Sequence, residues 1–252
     1  MRIVVVGASG MMGSKIVRAL GSSGHSVVEA SSKTGVDAIK GVGLDTAFEG
    51  ADAVIDVTNS GSFGEGDALS FFKQAGKNLL SAAKRASVPH YLALSVVGAE
   101  RLVENDYFRA KLVQENLIRA SGVPYTIVRS TQFFEFFGGI VNSSPAVEGS
   151  IRVASVRLQP ISADEAATIV AKHASGKPIN SVQEIGGPEP LDLLEIAREL
   201  LTATEDARPV ATDPDVAYFG VNLAPESLVP AAKAISGKQP FHDWLSNTVS
   251  AS

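Results

Sequence analysis

Short apolar runs alternate with longer stretches of helical spacing through the first half of the chain. Ile3–Val6 is β-branched throughout and ends at Gly7, and Ala53–Val57 follows the turn-like pair Glu49 and Gly50. A run that is apolar on both faces is typical of a buried strand in a parallel sheet. The strands predicted in this half are Ile3–Val6, Ser26–Ser31, Ala53–Val57, His90–Leu94 and Tyr125–Arg129.

Between these runs, apolar residues recur at the three- and four-residue spacing of amphipathic helices. This spacing predicts helices over Met11–Leu20, Asp67–Ala86 and Asp106–Ala120. Strands that alternate with helices favour a parallel sheet covered by helices on both faces, because right-handed crossovers place them there. The predicted fold class is therefore α/β, with a doubly wound parallel sheet.

The chain becomes richer in loops after about residue 130, where Gly138, Gly139 and Gly149 interrupt the apolar spacing. Further elements are predicted at Ala163–Ala174, at Val182–Ile185 and from Asp192 to Leu201. No linker separates the two halves. We expect a single domain over residues 1–252, with a core of about residues 1–130 and a smaller C-terminal substrate lobe of about residues 131–252.

Composition narrows the class of protein. Of the 252 residues, 45% are hydrophobic and 19% are charged, which excludes a disordered chain. A net charge of -5 argues against binding to nucleic acid backbones, and the absence of cysteine excludes disulfides and thiolate chemistry. The four histidines form no metal-binding pair. No signal peptide or membrane-spanning run is apparent, so we expect a cytoplasmic protein that acts on a small-molecule substrate.

A glycine-rich turn follows the first predicted strand and opens the first predicted helix. Its residues are Gly7, Ala8, Ser9, Gly10, Met11, Met12 and Gly13. In this context Gly7 permits a sharp turn, Gly10 permits close approach of a diphosphate, and Gly13 permits tight packing of helix on strand. Amides of Ser9 to Met12 would then face the diphosphate. The alternative is an ordinary glycine-rich turn, since the spacing differs from the commonest dinucleotide motif.

The end of the second predicted strand bears on the choice of cofactor. It carries Ser31, Ser32 and Lys33 and has no carboxylate, whereas Glu29 falls inside the strand. An acidic residue there would bind the ribose 2′-hydroxyl of NAD, and a hydroxyl-rich, basic end suits the 2′-phosphate of NADP. The sequence favours NADP, with NAD possible and a solvated serine-rich turn as the alternative.

Several segments resemble the NmrA-like branch of the atypical short-chain dehydrogenase/reductases. The resemblance is carried by Gly7–Gly13, Tyr91–Ala99, Tyr107–Lys111, Ser121–Phe134, Leu158–Ile161 and Gly186–Glu189, and it extends over most of the chain. It implies an NAD(P)-binding Rossmann fold with a variable C-terminal substrate region. Members include reductases, epimerases and inactive regulators that sense the cofactor, so the fold alone does not determine the function.

The resemblance implies a catalytic group. Tyr107 and Lys111 are four residues apart and share one face of a predicted helix. Tyrosine would exchange the proton that balances hydride transfer, and the ammonium would lower the phenol pKa. In the family the lysine also binds the cofactor ribose, and Ser95 resembles the hydroxyl that orients the substrate oxygen. A chance Tyr–Lys pair is the alternative, because this branch often keeps the lysine and loses the tyrosine.

Other candidates follow strand ends at the edge of the sheet where ligands bind. Thr58 and Asn59 are candidates for cofactor binding, and Asp56 is expected only to cap a turn. The substrate candidates are Gln132, Phe133, Phe134 and Tyr218. Phe133, Phe134, Phe136 and Phe137 form an aromatic cluster, of which two are expected in the core and the others at an apolar pocket. His90 is interpreted as a surface residue with a structural role.

These features predict an NADP(H)-dependent oxidoreductase that transfers hydride to or from a small carbonyl, enone or quinone. The alternative is a non-catalytic protein that senses NAD(P) and signals through a partner. Sugar-nucleotide epimerisation is a third reading, without a nucleotide-sugar motif to support it. Tyr107 favours the enzyme over the sensor.

Overall fold

The computed structural model of the protein describes residues 1–61 and 66–250. Its strands are β1 (Arg2–Val6), β2 (Ser26–Ala30), β3 (Ala53–Asp56), β4 (Tyr91–Val96), β5 (Tyr125–Ser130), β6 (Ala146–Val147), β7 (Ser150–Ala154), β8 (Arg157–Leu158), β9 (Ser181–Gly186), β10 (Leu191–Asp192), β11 (Val210–Asp213) and β12 (Ile235–Ser236). Its helices are α1 (Met11–Ser22), α2 (Leu44–Phe48), α3 (Asp67–Arg85), α4 (Asp106–Ser121), α5 (Phe137–Ser143), α6 (Ala163–Ala174), α7 (Leu193–Ala203) and α8 (Phe241–Ser250).

A parallel sheet of seven strands, in the order β12-β9-β5-β4-β3-β1-β2, forms the centre of the fold. Strand β1 pairs in parallel with β2 on one side and with β3 on the other. This arrangement confirms the predicted α/β Rossmann-type fold. The predicted helices and strands agree with the structure to within a few residues at their ends, as expected where propensity decides the interior of an element better than its boundaries.

The chain divides into two compact units. The first consists of Met1–Arg129 and Ala167–Gln183, and the second of Ser130–Ala166 and Glu184–Ser252. The division falls near residue 130, and Ala167–Gln183 belongs to the first unit. The single domain remains a prediction.

Continuous burial of β1 and β3 forms the core of the first unit. Ile3, Val4 and Val5 have no exposed surface, and neither do Val54 and Ile55. Such two-sided burial requires helices on both faces of the sheet, which explains the apolar runs Ile3–Val6 and Ala53–Ile55 within these strands. Because the strands are parallel, their carboxyl ends meet at one edge, and the loops after β1, β2, β3 and β4 gather there.

The second unit contains two smaller sheets. In one, β7 pairs with β6 antiparallel and with β11 parallel, and in the other β8 pairs with β10 antiparallel. Asp192 caps α7 through a capping box with Glu195, as its position before the apolar spacing predicts. No helix in the described ranges combines the length and apolar character that a membrane span needs.

His90 is buried, which corrects its interpretation as a surface residue. Its side chain is 2% exposed. The ring nitrogen Nδ1 lies 3.1 Å from the Gly176 carbonyl oxygen, and Nε2 lies 2.8 Å from the Thr126 hydroxyl. Since a carbonyl can only accept, Nδ1 carries the proton and Nε2 accepts from Thr126. These partners lie far away in the sequence, so the local pattern around His90 could not reveal its burial.

Candidate functional site

The glycine turn between β1 and α1 has little room for side chains. Gly7 has a φ of +86°, and a Cβ built there would lie 2.8 Å from the Val57 carbonyl oxygen. A Cβ at Gly13 would lie 2.1 Å from the Gly7 carbonyl oxygen, which excludes any side chain. A Cβ at Gly10 would meet only that same oxygen, at 3.3 Å, and Gly10 is exposed. The fold itself therefore requires glycine at positions 7 and 13. Of the three glycines in this turn, Gly10 is the one that the fold requires least.

The first turn of α1 offers unpaired backbone donors. Among the described residues, no backbone hydrogen bond uses the amides of Ser9, Met11, Met12 or Gly13, whereas the Gly10 amide donates to the Gly7 carbonyl oxygen at 3.0 Å. Unpaired amides at a helix N-terminus, together with the helix dipole, attract anions. With Gly10 exposed beside them, these residues fit the diphosphate of a dinucleotide.

The loop after β2 lies beside this turn. The Gly7 amide donates to the Ala30 carbonyl oxygen at 2.9 Å. The chain then enters a short 3₁₀ helix over Ser32–Thr34, where the Ser31 amide donates to Thr34 Oγ1 at 2.9 Å. Ser31 is nearly buried, while Ser32 and Lys33 are exposed. Within the described part of the chain, no ion pair engages Lys33, so its ammonium is available to an anionic ligand.

Asp56, at the end of β3, accepts hydrogen bonds from two directions. Its Oδ1 accepts from the Thr58 amide at 3.0 Å and from the Thr58 hydroxyl at 2.7 Å, which forms the predicted turn cap. Its Oδ2 accepts from the Tyr91 hydroxyl at 2.8 Å and from Gln114 Nε2 at 2.7 Å. Asp56, Tyr91 and Gln114 are each at most 2% exposed. Asp56 therefore does more than cap a turn: it joins β3, β4 and α4, while Asn59 remains exposed beside Thr58.

Lys111 extends this buried network from α4. Its ammonium donates to the Leu94 carbonyl oxygen at 2.7 Å and to Gln114 Oε1 at 2.5 Å, and it lies 4.5 Å from the centre of the Phe72 ring. Burial lowers the pKa of Lys111 to about 8, although the carboxylates of Asp56 and Glu115 oppose the effect. Among residues 1–61 and 66–250, the hydrogen-bond and ring partners of this ammonium are all neutral, and the carboxylates of Asp56 and Glu115 act on it by charge without a direct hydrogen bond.

Ser95 belongs to a second buried cluster around Glu115. Its hydroxyl donates to Glu115 Oε1 at 2.6 Å, and Arg129 donates to both carboxylate oxygens of Glu115 at 2.8 and 2.9 Å. Arg119 adds a further hydrogen bond at 2.7 Å. Burial disfavours the carboxylate, but the hydrogen bonds from Arg129 and Ser95 outweigh it and hold the pKa of Glu115 below its usual value. The Ser95 hydroxyl proton is thus directed to Glu115.

Tyr107 occupies an aromatic environment. Its ring packs edge-on against Phe72, with centroids 6.2 Å apart, and against Phe108 at 5.4 Å. Burial raises the pKa of Tyr107 to about 12. The expectation that Lys111 lowers this pKa is therefore wrong for the protein in this state, because the ammonium points to Leu94 and Gln114 instead. At neutral pH the Tyr107 phenol keeps its proton and can only donate it.

The predicted substrate residues lie in the second unit. Phe134 is 1% exposed and packs against Phe241 and Trp244, with ring centroids 5.3 Å away in both cases. Phe137 also packs on Phe241. Phe133, Phe134 and Phe137 are all buried, so three of the four phenylalanines are in the core where two were expected. This position gives Phe134 the packing of a core side chain rather than that of a pocket wall.

The remaining aromatic and polar candidates are more accessible. Phe133 is buried and packs next to Phe136, whose side chain is 47% exposed. The Tyr218 hydroxyl approaches Gln132 Oε1 at 3.5 Å, the outer limit of a hydrogen bond. Gln132 and Tyr218 are thus brought together from segments 86 residues apart.

Sequence reasoning missed the polar partners on α4. The buried face of this helix includes Lys111, Gln114 and Glu115, which are spaced by three and four residues. A helix whose inward face carries polar side chains must satisfy them internally, since unpaired buried polar groups are costly. The three- and four-residue spacing of Gln114 and Glu115 from Lys111 indicated in the sequence that these side chains share a face of the helix. Their partners Asp56 and Arg129 could be identified only from the packing of the helix against the sheet.

A family model described as NAD(P)H-binding matches residues 7–136, just over half of the chain. This range includes the glycine turn, Asp56, Ser95 and Lys111. The NmrA-like branch is compatible with this match and remains a prediction.

Two curated relatives are reductases by name. The first is (4-alkanoyl-5-oxo-2,5-dihydrofuran-3-yl)methyl phosphate reductase of Streptomyces griseus, 25% identical over 96% of this chain and 96% of that protein. The second is the chloroplastic divinyl chlorophyllide a 8-vinyl-reductase of Cucumis sativus, 31% identical over 79% of this chain and 57% of the relative. Among solved structures, UDP-glucose 4-epimerase of Thermotoga maritima superposes with a TM-score of 0.74 at 15% identity, over 99% of this chain and 98% of the epimerase, which shows the fold alone.

Proposed function

Because this chain belongs to the NAD(P)H-binding family, we propose that it is an NADPH-dependent reductase of a small enone, quinone or carbonyl compound. Bound NADPH supplies the hydride. The residues of the chain hold the cofactor, exclude water and supply the proton that completes the reduction. The observation that carries the proposal is the placement of Tyr107 and the buried Lys111 on one face of α4, where burial raises the pKa of the Tyr107 phenol.

The cofactor would be held at the carboxyl edge of the first unit. The unpaired amides of Ser9, Met11 and Met12 would bind the diphosphate, with Gly7, Gly10 and Gly13 leaving the space for it. Ser31, Ser32 and Lys33 would bind the 2′-phosphate, and Thr58 and Asn59 would lie along the cofactor. Lys111 would bind the ribose.

Tyr107 would act as the proton donor. Reduction leaves negative charge on the substrate oxygen, and the Tyr107 phenol would donate its proton to that oxygen. A phenol whose pKa is about 12 remains protonated at neutral pH, which is the form that a proton donor in a reduction needs. The Ser95 hydroxyl would orient the substrate oxygen after exchanging its hydrogen bond with Glu115.

The curated relatives favour the enone within this substrate class. The names of both substrates, a 2,5-dihydrofuran and a vinyl group, contain a carbon–carbon double bond. An enone joins such a bond to the carbonyl oxygen that a proton donor needs. Gln132, Phe133 and Tyr218 are the candidates for substrate contact in the second unit, with Phe134 as support behind them.

One observation favours the non-catalytic sensor as a second candidate. Lys111 and Ser95 both have internal hydrogen-bond partners, which lets the protein bind a dinucleotide while these side chains keep structural roles. The two functions differ in whether NADPH is consumed.

The decisive experiment measures NADPH oxidation with cyclohexenone, benzoquinone and benzaldehyde. We expect turnover with at least one of them, and a fall of about 10²–10⁴-fold in Tyr107→Phe. NADPH affinity should stay unchanged, because the hydroxyl does not hold the cofactor. Lys111→Met should reduce both turnover and NADPH affinity.

The matched control is Tyr125→Phe, which removes the hydroxyl of the first residue of β5, at the end of that strand away from its carboxyl end. Tight NADPH binding without turnover would favour the sensor, and full turnover in Tyr107→Phe would assign the proton to another group.

A further inference from the structure

Gln114 lies between two buried charges on the inward face of α4. Its side-chain oxygen accepts from the Lys111 ammonium at 2.5 Å, and its Nε2 donates to Asp56 Oδ2 at 2.7 Å. All three side chains are at most 4% exposed. Buried opposite charges ordinarily pair with each other. Here a neutral amide separates them, and within the part of the chain that the structure describes no hydrogen bond joins Lys111 directly to Asp56.

The interposed amide leaves the Lys111 ammonium with a donor to spare. An ammonium has three hydrogens. In the described ranges, its two acceptors are the Leu94 carbonyl oxygen, at 2.7 Å, and the Gln114 side-chain oxygen. The Phe72 ring, whose centre lies 4.5 Å from Nζ, attracts the charge but supplies no oxygen or nitrogen acceptor. The third hydrogen therefore suits a hydroxyl group of a bound ligand.

The titratable groups around this ammonium come from three elements. Burial lowers the pKa of the ammonium to about 8, and the carboxylates of Asp56 on β3 and Glu115 on α4 oppose the effect. Burial raises the pKa values of Tyr91 on β4 and Tyr107 on α4, so both phenols are neutral in this range. Helix α3 presents the uncharged Phe72 ring. The ammonium is thus the group of this network that titrates near pH 8.

We propose that Gln114 is a positioning residue for the cofactor: its amide keeps the Lys111 ammonium away from the Asp56 carboxylate, so that one ammonium hydrogen can bind a ribose hydroxyl. The proposal rests on the proposed function in taking a nicotinamide dinucleotide as the ligand. Without the amide, the flexible lysine side chain can turn to Asp56 and form a direct ion pair. That pair would satisfy the ammonium within the protein and withdraw it from the cofactor.

Gln114→Ala separates this role from simple support of the fold. The direct ion pair should raise the pKa of Lys111, because an opposite charge in contact favours the ammonium. The same pair should weaken NADPH binding at neutral pH about tenfold, since a hydrogen bond from a charged group is lost. Fluorescence titration with NADPH at a series of pH values measures both changes. We expect weaker binding together with a midpoint at higher pH, whereas local damage to the fold would weaken binding without raising the midpoint.

Gln114→Met is the length-matched variant. Methionine fills the space of the amide and keeps the two charges apart, so the midpoint should not rise above that of the parent protein. Gln74→Ala is the control, because it removes an exposed glutamine amide from the neighbouring helix α3. Its NADPH affinity and midpoint should equal those of the parent.

The proposal is overturned if Gln114→Ala keeps the affinity of the parent protein, or if its midpoint is unchanged or lower. Circular dichroism checks that the variant is folded. If Gln114→Ala does not fold, Gln114→Asn takes its place, because the shorter amide cannot reach both charges. The same two changes are then expected, and the absence of either overturns the proposal.

These titrations are independent of turnover. A parent protein whose NADPH midpoint rises in Gln114→Ala, but which reduces no compound, keeps the positioning role and removes the reductase function. A parent protein that reduces an enone, but whose NADPH affinity does not change over the range in which Lys111 titrates, removes the role of Gln114 alone.

Discussion

The ammonium of Lys111 donates to the side-chain oxygen of Gln114 at 2.5 Å. The amide of Gln114 has one fixed orientation as a result, since an ammonium can only donate and its other neighbour, the Asp56 carboxylate, can only accept. Lys111 is thereby coupled to Asp56, and through Asp56 to Thr58 at the end of β3. The residue proposed to bind ribose and the loop proposed to lie along the cofactor share one buried network.

This coupling predicts that Asp56→Asn shifts the pH dependence of cofactor binding. The Asp56 carboxylate favours the charged form of Lys111, whose pKa is about 8, so removal of the charge lowers that pKa further. NADPH affinity should fall with rising pH as Lys111 loses its proton. Fluorescence titrations at several pH values should place the midpoint of this fall lower in the variant than in the parent.

Asp52→Asn is the control for that shift. Asp52 is exposed and accepts a hydrogen bond from the Arg2 amide, so the substitution changes the net charge equally without touching Lys111. Its midpoint should equal that of the parent protein. An unchanged midpoint in Asp56→Asn would mean that Lys111 does not contact the cofactor as an ammonium.

Gly10→Val should fold and lose dinucleotide affinity. A Cβ at this position meets only the Gly7 carbonyl oxygen at 3.3 Å, which a small adjustment can relieve, but the branched side chain would occupy the space in front of the α1 amides. Circular dichroism should remain native while calorimetric titration with NADPH shows weakened binding.

Gly21→Val provides the comparison, because Gly21 lies in α1, the helix that Gly10 precedes, and a Cβ there meets nothing within 4 Å. Its NADPH affinity should match that of the parent. If Gly10→Val also binds NADPH normally, the dinucleotide site lies elsewhere.

Lys33 should determine the preference for NADPH over NADH. A charge-assisted hydrogen bond to the 2′-phosphate contributes about 1.5–3 kcal/mol, which corresponds to a preference of about tenfold or more. Lys33→Met should lower NADPH affinity by that factor and leave NADH affinity unchanged. Lys73→Met, an exposed lysine on α3, should alter neither. Equal affinities of the parent protein for the two cofactors would refute this assignment.

His90 should make the protein less stable in mild acid. Burial lowers the pKa of His90 below the value of about 6.5 expected in the unfolded chain. The unfolded state therefore binds the proton more readily, so the stability gained from neutral His90 is present above that pH and is lost as the pH falls below it. Chemical unfolding at a series of pH values should show this loss.

Replacing His90 by glutamine should reduce the dependence on pH in that range. His173, whose pKa burial also lowers, remains in the variant and accounts for a residual slope. An identical slope in the two proteins would show that His90 is not the group that titrates.

Much of the first unit could be predicted from the sequence because its signals are local. The β-branched run Ile3–Val6 and the helical spacing after Met11 identify a strand and a helix, and the glycines between them permit the tight turn that joins the two. Each of these properties depends on residues less than about ten positions apart, and neighbouring elements do not change them.

The pairing of buried polar groups was decided only by the tertiary structure. Gln114 and Asp56 are 58 residues apart, and His90 and Gly176 are 86 apart. The sequence showed Tyr107 and Lys111 on one face of a helix, but the packing of β4 against α4 turned the Lys111 ammonium toward Leu94 and Gln114. A buried donor takes the nearest acceptor that folding brings to it. Helical spacing fixes which side chains share a face, whereas the partners on that face are set by the elements that pack against it.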